Sequence, residues 1–271
     1  MSAPQTLLVE TRDGVRHVTL NRPETRNAMS LAMADELLAA LKSAETNGVR
    51  AIVLKGAGGH FCSGGDVKDM GAAYAGPDST EGGPDGQDPA AKVNAQFGHL
   101  CKAYAETGLP VIVVLEGAVL GGGFGLACVA DVALARETAL FRLPETGLGL
   151  VPAQIAPFLV ERLGYSEARR LAVTGGKIDA QTALSLRLVH GVHEGEEAMN
   201  TALEAVLADI RKGAPNAIAE TKRLMRRARL HDAGSLIDDA AKVFAAAVRS
   251  EEGAEGLTAF IEKRPAKWVQ G

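Results

Sequence analysis

A chain of 271 residues is long enough for one α/β unit with a helical appendage, and 29 Lys and Arg against 33 Asp and Glu exclude the positive field of a duplex nucleic-acid binder. Hydrophobic residues make up 46% of the chain and aromatics only 4%, so the core is expected to be Ala, Val, Leu and Ile. The first residues carry no basic segment followed by an apolar run, and no uninterrupted apolar stretch reaches membrane-spanning length; a cytoplasmic protein with no membrane partner is expected.

Residues 6–11 and 15–20 alternate around Asp13-Gly14 and predict a hairpin. Asn21-Arg22-Pro23 stops it, and residues 31–44 place Leu31, Ala34, Leu37, Leu38 and Leu41 on one helical face behind a Ser30 cap. Ala51-Ile52-Val53-Leu54 is a fully apolar strand that runs into a glycine turn. Residues 71–89 are dense in Gly, Pro, Asp and Ser and predict a surface loop, either a lid beside a site or an insertion without function. Helical patterning returns over residues 90–106. Residues 110–115 then form a second apolar strand, followed by Gly121-Gly122-Gly123, a helix over residues 124–130 and a further strand over 132–135. The remainder is helix-compatible over 159–172, 180–186, 194–212, 217–229 and 235–248, with few strand candidates. Each of these helices has an apolar stripe that needs a partner, as in a helical cover or an oligomer interface.

Cys62, Cys101 and Cys128 have neither CxxC pairing nor metal spacing, so free thiols are expected and no metal site. Cys62 beside its glycine turn is either small filler or a nucleophile without a visible base. Phe61-Cys62-Ser63-Gly64-Gly65-Asp66 and Gly121-Gly122-Gly123 each follow an apolar strand, and glycine lets backbone approach a ligand closely. If the Gly65 and Gly122 N–H groups converge, they can hold a substrate oxygen as negative charge develops on it; otherwise the runs are plain turns. Neither is a P-loop or a dinucleotide fingerprint. Glu145, approached through Leu143-Pro144, is either a partly dry acid/base or a solvated loop residue, and Glu137 reads as a surface turn. Arg142 is either an exposed charge or a contact for a carboxylated chain. His60 and His99 show no partner, and Arg223, Arg226, Arg227 and Arg229 form a basic helical patch of the solvated or interface kind.

The order and spacing of several motifs resemble the enoyl-CoA hydratase/isomerase family, the crotonases, along the whole chain. They are His17-Val18-Thr19-Leu20-Asn21-Arg22-Pro23 with Arg26-Asn27-Ala28, and His60-Phe61-Cys62-Ser63-Gly64-Gly65-Asp66-Val67-Lys68-Asp69-Met70. Gly117-Ala118-Val119-Leu120-Gly121-Gly122-Gly123-Phe124-Gly125, Leu143-Pro144-Glu145-Thr146-Gly147-Leu148-Gly149 and Phe260-Ile261-Glu262-Lys263-Arg264 complete the set. The resemblance implies an α/β fold of spiralling ββα units over residues 1–205. It implies a helical C-terminal region over 206–271 that forms trimers, commonly paired into hexamers. It assigns the oxyanion donors to Gly65 and Gly122 and acid/base work to Glu145. It places coenzyme A, as part of the substrate and not a separate cofactor, near Arg26, Ala28, Cys62, Ser63, Gly64 and Lys68. Phe260 and Lys263 complete that site from the same or a neighbouring subunit.

Family hydratases often use two glutamates, and Gly125 stands where the first is expected. The chain from Leu143 to Pro157, with the glycine at 125, resembles the branch that hydrates branched glutaconyl-CoA thioesters, such as isohexenylglutaconyl-CoA or 3-methylglutaconyl-CoA, an activity tied to acyclic isoprenoid degradation. An enoyl-CoA isomerase using Glu145 as proton shuttle and a non-catalytic CoA-binding oligomer are the alternatives; a thioesterase or decarboxylase fits less well.

Overall fold

Asp13 and Gly14 take φ of 49° and 71°, the left-handed pair that turns one strand straight back on the next. In the computed structural model, which describes residues 5–66, 68, 71 and 88–269, they join β1 (Leu7–Arg12) to β2 (Val15–Leu20) in an antiparallel pair. Ser30 starts α1 (Leu31–Thr46) as expected, its hydroxyl accepting the Met33 N–H at 3.1 Å. The helix returns the chain so that β3 (Ala51–Gly56) lies parallel to β2. The expected loop at 71–89 falls outside the described residues except for its ends; there Asp88 caps α2 (Pro89–Glu106), accepting the Ala90 N–H at 2.7 Å.

From β3 onward the chain repeats one manoeuvre. A strand enters the main sheet, a shorter extended segment enters a second layer, and a helix follows. β3 is followed by the extended segment at Cys62. β4 (Val111–Leu115) is followed by β5 (Ala118–Leu120) and α3 (Gly122–Val129), and β6 (Val132–Arg136) by β7 (Leu140–Arg142) and α4 (Ala156–Thr174). β3, β4 and β6 are parallel neighbours, while Cys62, β5 and β7 pair in parallel in the same order. This is the ββα spiral that the resemblance implied. The β3 and β4 strands are buried on both faces, which is why they read as continuous apolar runs rather than alternating ones.

Two short strands close the layers. β8 (Lys177–Asp179) pairs antiparallel with β7, and after α5 (Ala180–Ser185), β9 (Gly191–His193) adds to β6 as the edge of the main sheet. α6 (Gly195–Lys212) then packs Met199, Leu203 and Leu207 on Val15, Val53, Ile112 and Leu134, so position 205, expected as a domain boundary, lies inside a helix seated on the sheet. α7 (Pro215–Leu230) is tied back by ion pairs of Arg226 with Glu106 and Arg229 with Glu161, and Lys222 reaches both the Leu109 carbonyl and Asp131. α8 (Ala233–Arg249) and α9 (Glu251–Glu262) leave Ile237, Phe244, Phe260 and Ile261 largely exposed, an apolar stripe without cover among the described residues. No helix among the described residues is long and apolar enough to cross a membrane.

One buried side chain ties the first turn of the spiral together. Asn27 is 0% exposed; its Oδ1 accepts the Arg22 N–H at 2.8 Å, and its amide donates to the Ala57 and His60 carbonyls at 2.9 and 2.7 Å. Its φ of 58° is a conformation that Asn tolerates and alanine does not. Arg22 adds an ion pair to Asp66 at 2.8 Å and a hydrogen bond to the Ala28 carbonyl at 2.7 Å. Replacing Asn27 by Ala strands three backbone groups, so Asn27→Ala is expected to lower the unfolding free energy by about 3 kcal/mol, read from urea denaturation. A second prediction concerns pH. His17 Nε2 accepts the Arg12 Nε–H at 3.2 Å and His190 Nδ1 accepts the Ala133 N–H at 3.0 Å, so both rings are neutral in the fold. Burial, with nearby arginines, holds both below their ordinary value of 6.5. The unfolded chain therefore takes up protons first on acidification, and the stability present above that value is lost as pH falls below it. The urea midpoint should drop between about pH 7 and pH 5, and drop less in a His17→Gln/His190→Gln variant.

Candidate active site

The segment from Phe61 to Asp66 threads between two partners. On one side the Phe61 and Cys62 N–H groups donate to Glu116 and Ala118, and Cys62 accepts from Leu120 at 2.9 Å. On the other, the Ser63 N–H donates to Arg26, the Met29 N–H donates to Gly64 at 2.7 Å, and the Asp66 N–H donates to Met29 at 2.9 Å. Gly64 makes the switch possible, because its φ of 100° is closed to ordinary side chains. Met29 bonds the residues on either side of Gly65 in a parallel bridge, so the N–H and C=O of Gly65 itself point away from Met29.

The second glycine turn lies against the first. A Cβ on Gly64 would stand 3.5 Å from the Leu120 carbonyl oxygen, and one on Gly121 would stand 3.6 Å from the Gly64 Cα. Gly121 turns at φ 47°, donates its N–H to Arg142 at 3.0 Å and hands over to α3, whose first residue is Gly122. A first-turn N–H has no acceptor within its own helix. Among the described residues, neither the Gly65 nor the Gly122 N–H meets an acceptor. Two free donors therefore sit on adjoining turns.

Glu145 opens a short 3-10 turn, Glu145–Leu148, directly after Pro144, with Leu143 and Phe141 buried behind it. Its side chain lies over Gly121, where a Cβ would come within 2.8 Å of Oε1. The other oxygen, Oε2, is buried and has no hydrogen-bond partner. Burial accordingly pushes the carboxyl above its ordinary pKa, its own backbone N–H offsetting only part of the lost hydration.

Gly125 is buried, and a Cβ placed there would collide with Ile155 Cγ2 and lie 3.5 Å from the Phe97 ring. Phe97 also comes within 3.0 Å of a Cβ placed on Gly122. Where a second carboxylate was considered, hydrocarbon stands. Phe97 and Ile155 were not singled out in the sequence, because each sits on an ordinary apolar position and only the three-dimensional approach to α3 distinguishes it.

The remaining candidates divide. Arg26, Ala28, Ser63, Gly64 and Lys68 gather along the edge beside Gly65: Ser63 Oγ donates to Thr25 at 2.8 Å, and Lys68, exposed, donates its N–H to Asp66 at 3.0 Å. Cys62 contributes frame rather than reactivity. Its backbone groups are both paired with β5, and burial raises its thiol to about 11. All three cysteines are free and buried. Phe260 is 84% exposed near the end of α9, and Lys263 caps that helix in the left-handed conformation. His60 is structural, its Nδ1 accepting the Ala118 N–H at 3.1 Å. Arg142 donates to the Gly175 carbonyl at 3.3 Å. Arg223, Arg226, Arg227 and Arg229 are each paired with an acid, which removes the basic patch as a reading surface.

The sequence matches the enoyl-CoA hydratase/isomerase family over residues 10–271. A solved enoyl-CoA hydratase/isomerase from Marinobacter aquaeolei is 49% identical, with 98% of this chain and 99% of that one covered and a TM-score of 0.93. Pseudomonas aeruginosa AtuE is 48% identical over 98% of this chain and 100% of its own, with a TM-score of 0.92. A probable enoyl-CoA hydratase from Rhizobium meliloti is 33% identical over 266 residues, covering 97% of this chain and 98% of its own. With its spiral of ββα units and its paired glycine turns, this chain belongs to the enoyl-CoA hydratase/isomerase family and is an enzyme of the lyase kind acting on an acyl-CoA.

Proposed function

We propose that the enzyme adds water across the 2,3 double bond of a branched glutaconyl-CoA, such as isohexenylglutaconyl-CoA or 3-methylglutaconyl-CoA. The carrying observation is the unpartnered, buried Oε2 of Glu145 beside two glycine turns whose Gly65 and Gly122 N–H groups lack acceptors among the described residues. In this reading the thioester oxygen accepts hydrogen bonds from Gly65 and Gly122. Water adds at C3 while the Glu145 carboxylate takes one of its protons, and the electron pair of the double bond moves onto the thioester as an enolate. The protonated Glu145 then returns a proton to C2, which restores the carboxylate and completes the addition. With hydrocarbon at Gly125, one carboxyl serves both transfers, and a carboxylate on the substrate's own chain can orient the water. No metal or redox cofactor takes part.

Coenzyme A would lie along Arg26, Ala28, the Cys62–Gly64 backbone and Lys68. The exposed Phe260 with Lys263 would close over it from the same or a neighbouring subunit of a homotrimer or homohexamer, which also covers the stripe on α8 and α9. The absence of a second carboxylate at Gly125 favours one alternative, double-bond migration with Glu145 carrying a proton between carbons. Turnover in ¹⁸O-water separates the two: hydration leaves the heavy oxygen at C3, and migration leaves none in the product.

Glu145→Gln is expected to lower kcat by at least about a hundredfold on these thioesters. The same change should leave the protein as stable or more so at neutral pH, because it removes a carboxylate whose charged form burial disfavours. Near-wild-type hydration by the folded variant rejects the assigned role. The acid limb of the wild-type kcat profile should lie above the ordinary glutamate value of 4.5, since the base works only when ionised and burial raises its pKa.

A further inference from the structure

Gly121, Gly122 and Gly125 share one face of α3, because helix positions three and four apart lie over one another. They leave a strip of bare backbone, and its two ends are covered by unlike chemistry. Glu145 stands over Gly121; Phe97 stands against Gly122 and Gly125, and Ile155 fills the space a side chain at 125 would need. This hydrocarbon is fixed in place. Ile155 is 3% exposed and accepts the Leu159 N–H at 2.9 Å at the head of α4, while its neighbour Gln154 lies across Gly98 and donates to Asn94 at 2.7 Å, tying the Ile155 loop to the helix that carries Phe97.

The next step rests on the proposed reading, in which Gly65 and Gly122 hold the thioester oxygen. Gly64 meets α3 at its N-terminal end, so a thioester held there presents its first carbons to the side chains that cover the strip, Phe97 at Gly122 and Ile155 at Gly125, three residues or about 4.5 Å further on. That is the reach of the first carbons beyond a thioester. We propose that Phe97 and Ile155 form the seat of an alkyl substituent at C3, and that this wall makes the enzyme select 3-alkyl-branched acyl-CoA thioesters over straight-chain ones. A carboxylate on the chain finds no donor on the wall and is directed away from it. Ile155 and Phe97 thus act on selectivity, and the proton transfers remain with Glu145.

The test uses two saturated, unreactive thioesters, 3-methylbutanoyl-CoA and butanoyl-CoA, with Kd measured by calorimetry on the full-length oligomer. Wild type is expected to bind the branched thioester more tightly. Ile155→Ala and Phe97→Ala are each expected to reduce that preference about tenfold, the scale on which an apolar pocket reads one methyl group, while Ile155→Val, which keeps Cγ2 over Gly125, retains most of it. Circular dichroism and binding of free CoA establish that each variant is folded with its nucleotide site intact. A wild type without preference for the branch, or folded alanine variants whose preference changes less than about twofold, overturns the proposal. Saturated thioesters cannot be hydrated, so this outcome is independent of the oxygen-18 and Glu145 measurements, which judge the hydration reading by themselves.

Discussion

The contact on which the site depends is the approach of two backbones, Gly64 against Leu120 and Gly121, close enough that a Cβ on either glycine would touch the other turn. A side chain at Gly64 would need a backbone conformation it rarely adopts, and one at Gly121 would strike the Glu145 carboxylate. Because the turns touch, the N–H groups one residue further on, at Gly65 and Gly122, stand on neighbouring loops, and among the described residues neither meets an acceptor.

The rest of the molecule holds that approach in place. Asn27, Arg22 and Asp66 fasten the first glycine loop from below, the Cys62 and Leu120 pairing fastens it from the side, and the Gly121 bond to Arg142 locks the second turn to β7. The carboxylate then arrives on a third loop, after Pro144. Its partial burial, with Oε2 left unpartnered, has a consequence for energy as well as for chemistry, since it disfavours the charged form.

The C-terminal helices follow a different logic. α6 belongs energetically to the sheet, through Met199, Leu203 and Leu207, whereas α8 and α9 keep their largest apolar side chains outside. The proposed oligomer would give these helices their cover.

Local chemistry made much of this legible in advance. Asp13-Gly14 fixed a hairpin because both positions favour left-handed backbone, Ser30 marked a helix start, and unbroken apolar runs at 51–54 and 110–115 marked strands covered on both faces. The glycine motifs and Glu145 stood out because only a backbone that must come close, or a carboxyl after a rigid apolar approach, needs those residue types. The three-residue strands β7, β8 and β9 were not legible, since segments that short gain their pairing from strands far away in the chain and carry no period of their own. The same holds for Phe97 and Ile155. Each reads as one more core residue, and only the tertiary fold, by bringing α2 and the loop before α4 onto the bare strip of α3, decides that hydrocarbon and not a second carboxylate faces Gly125.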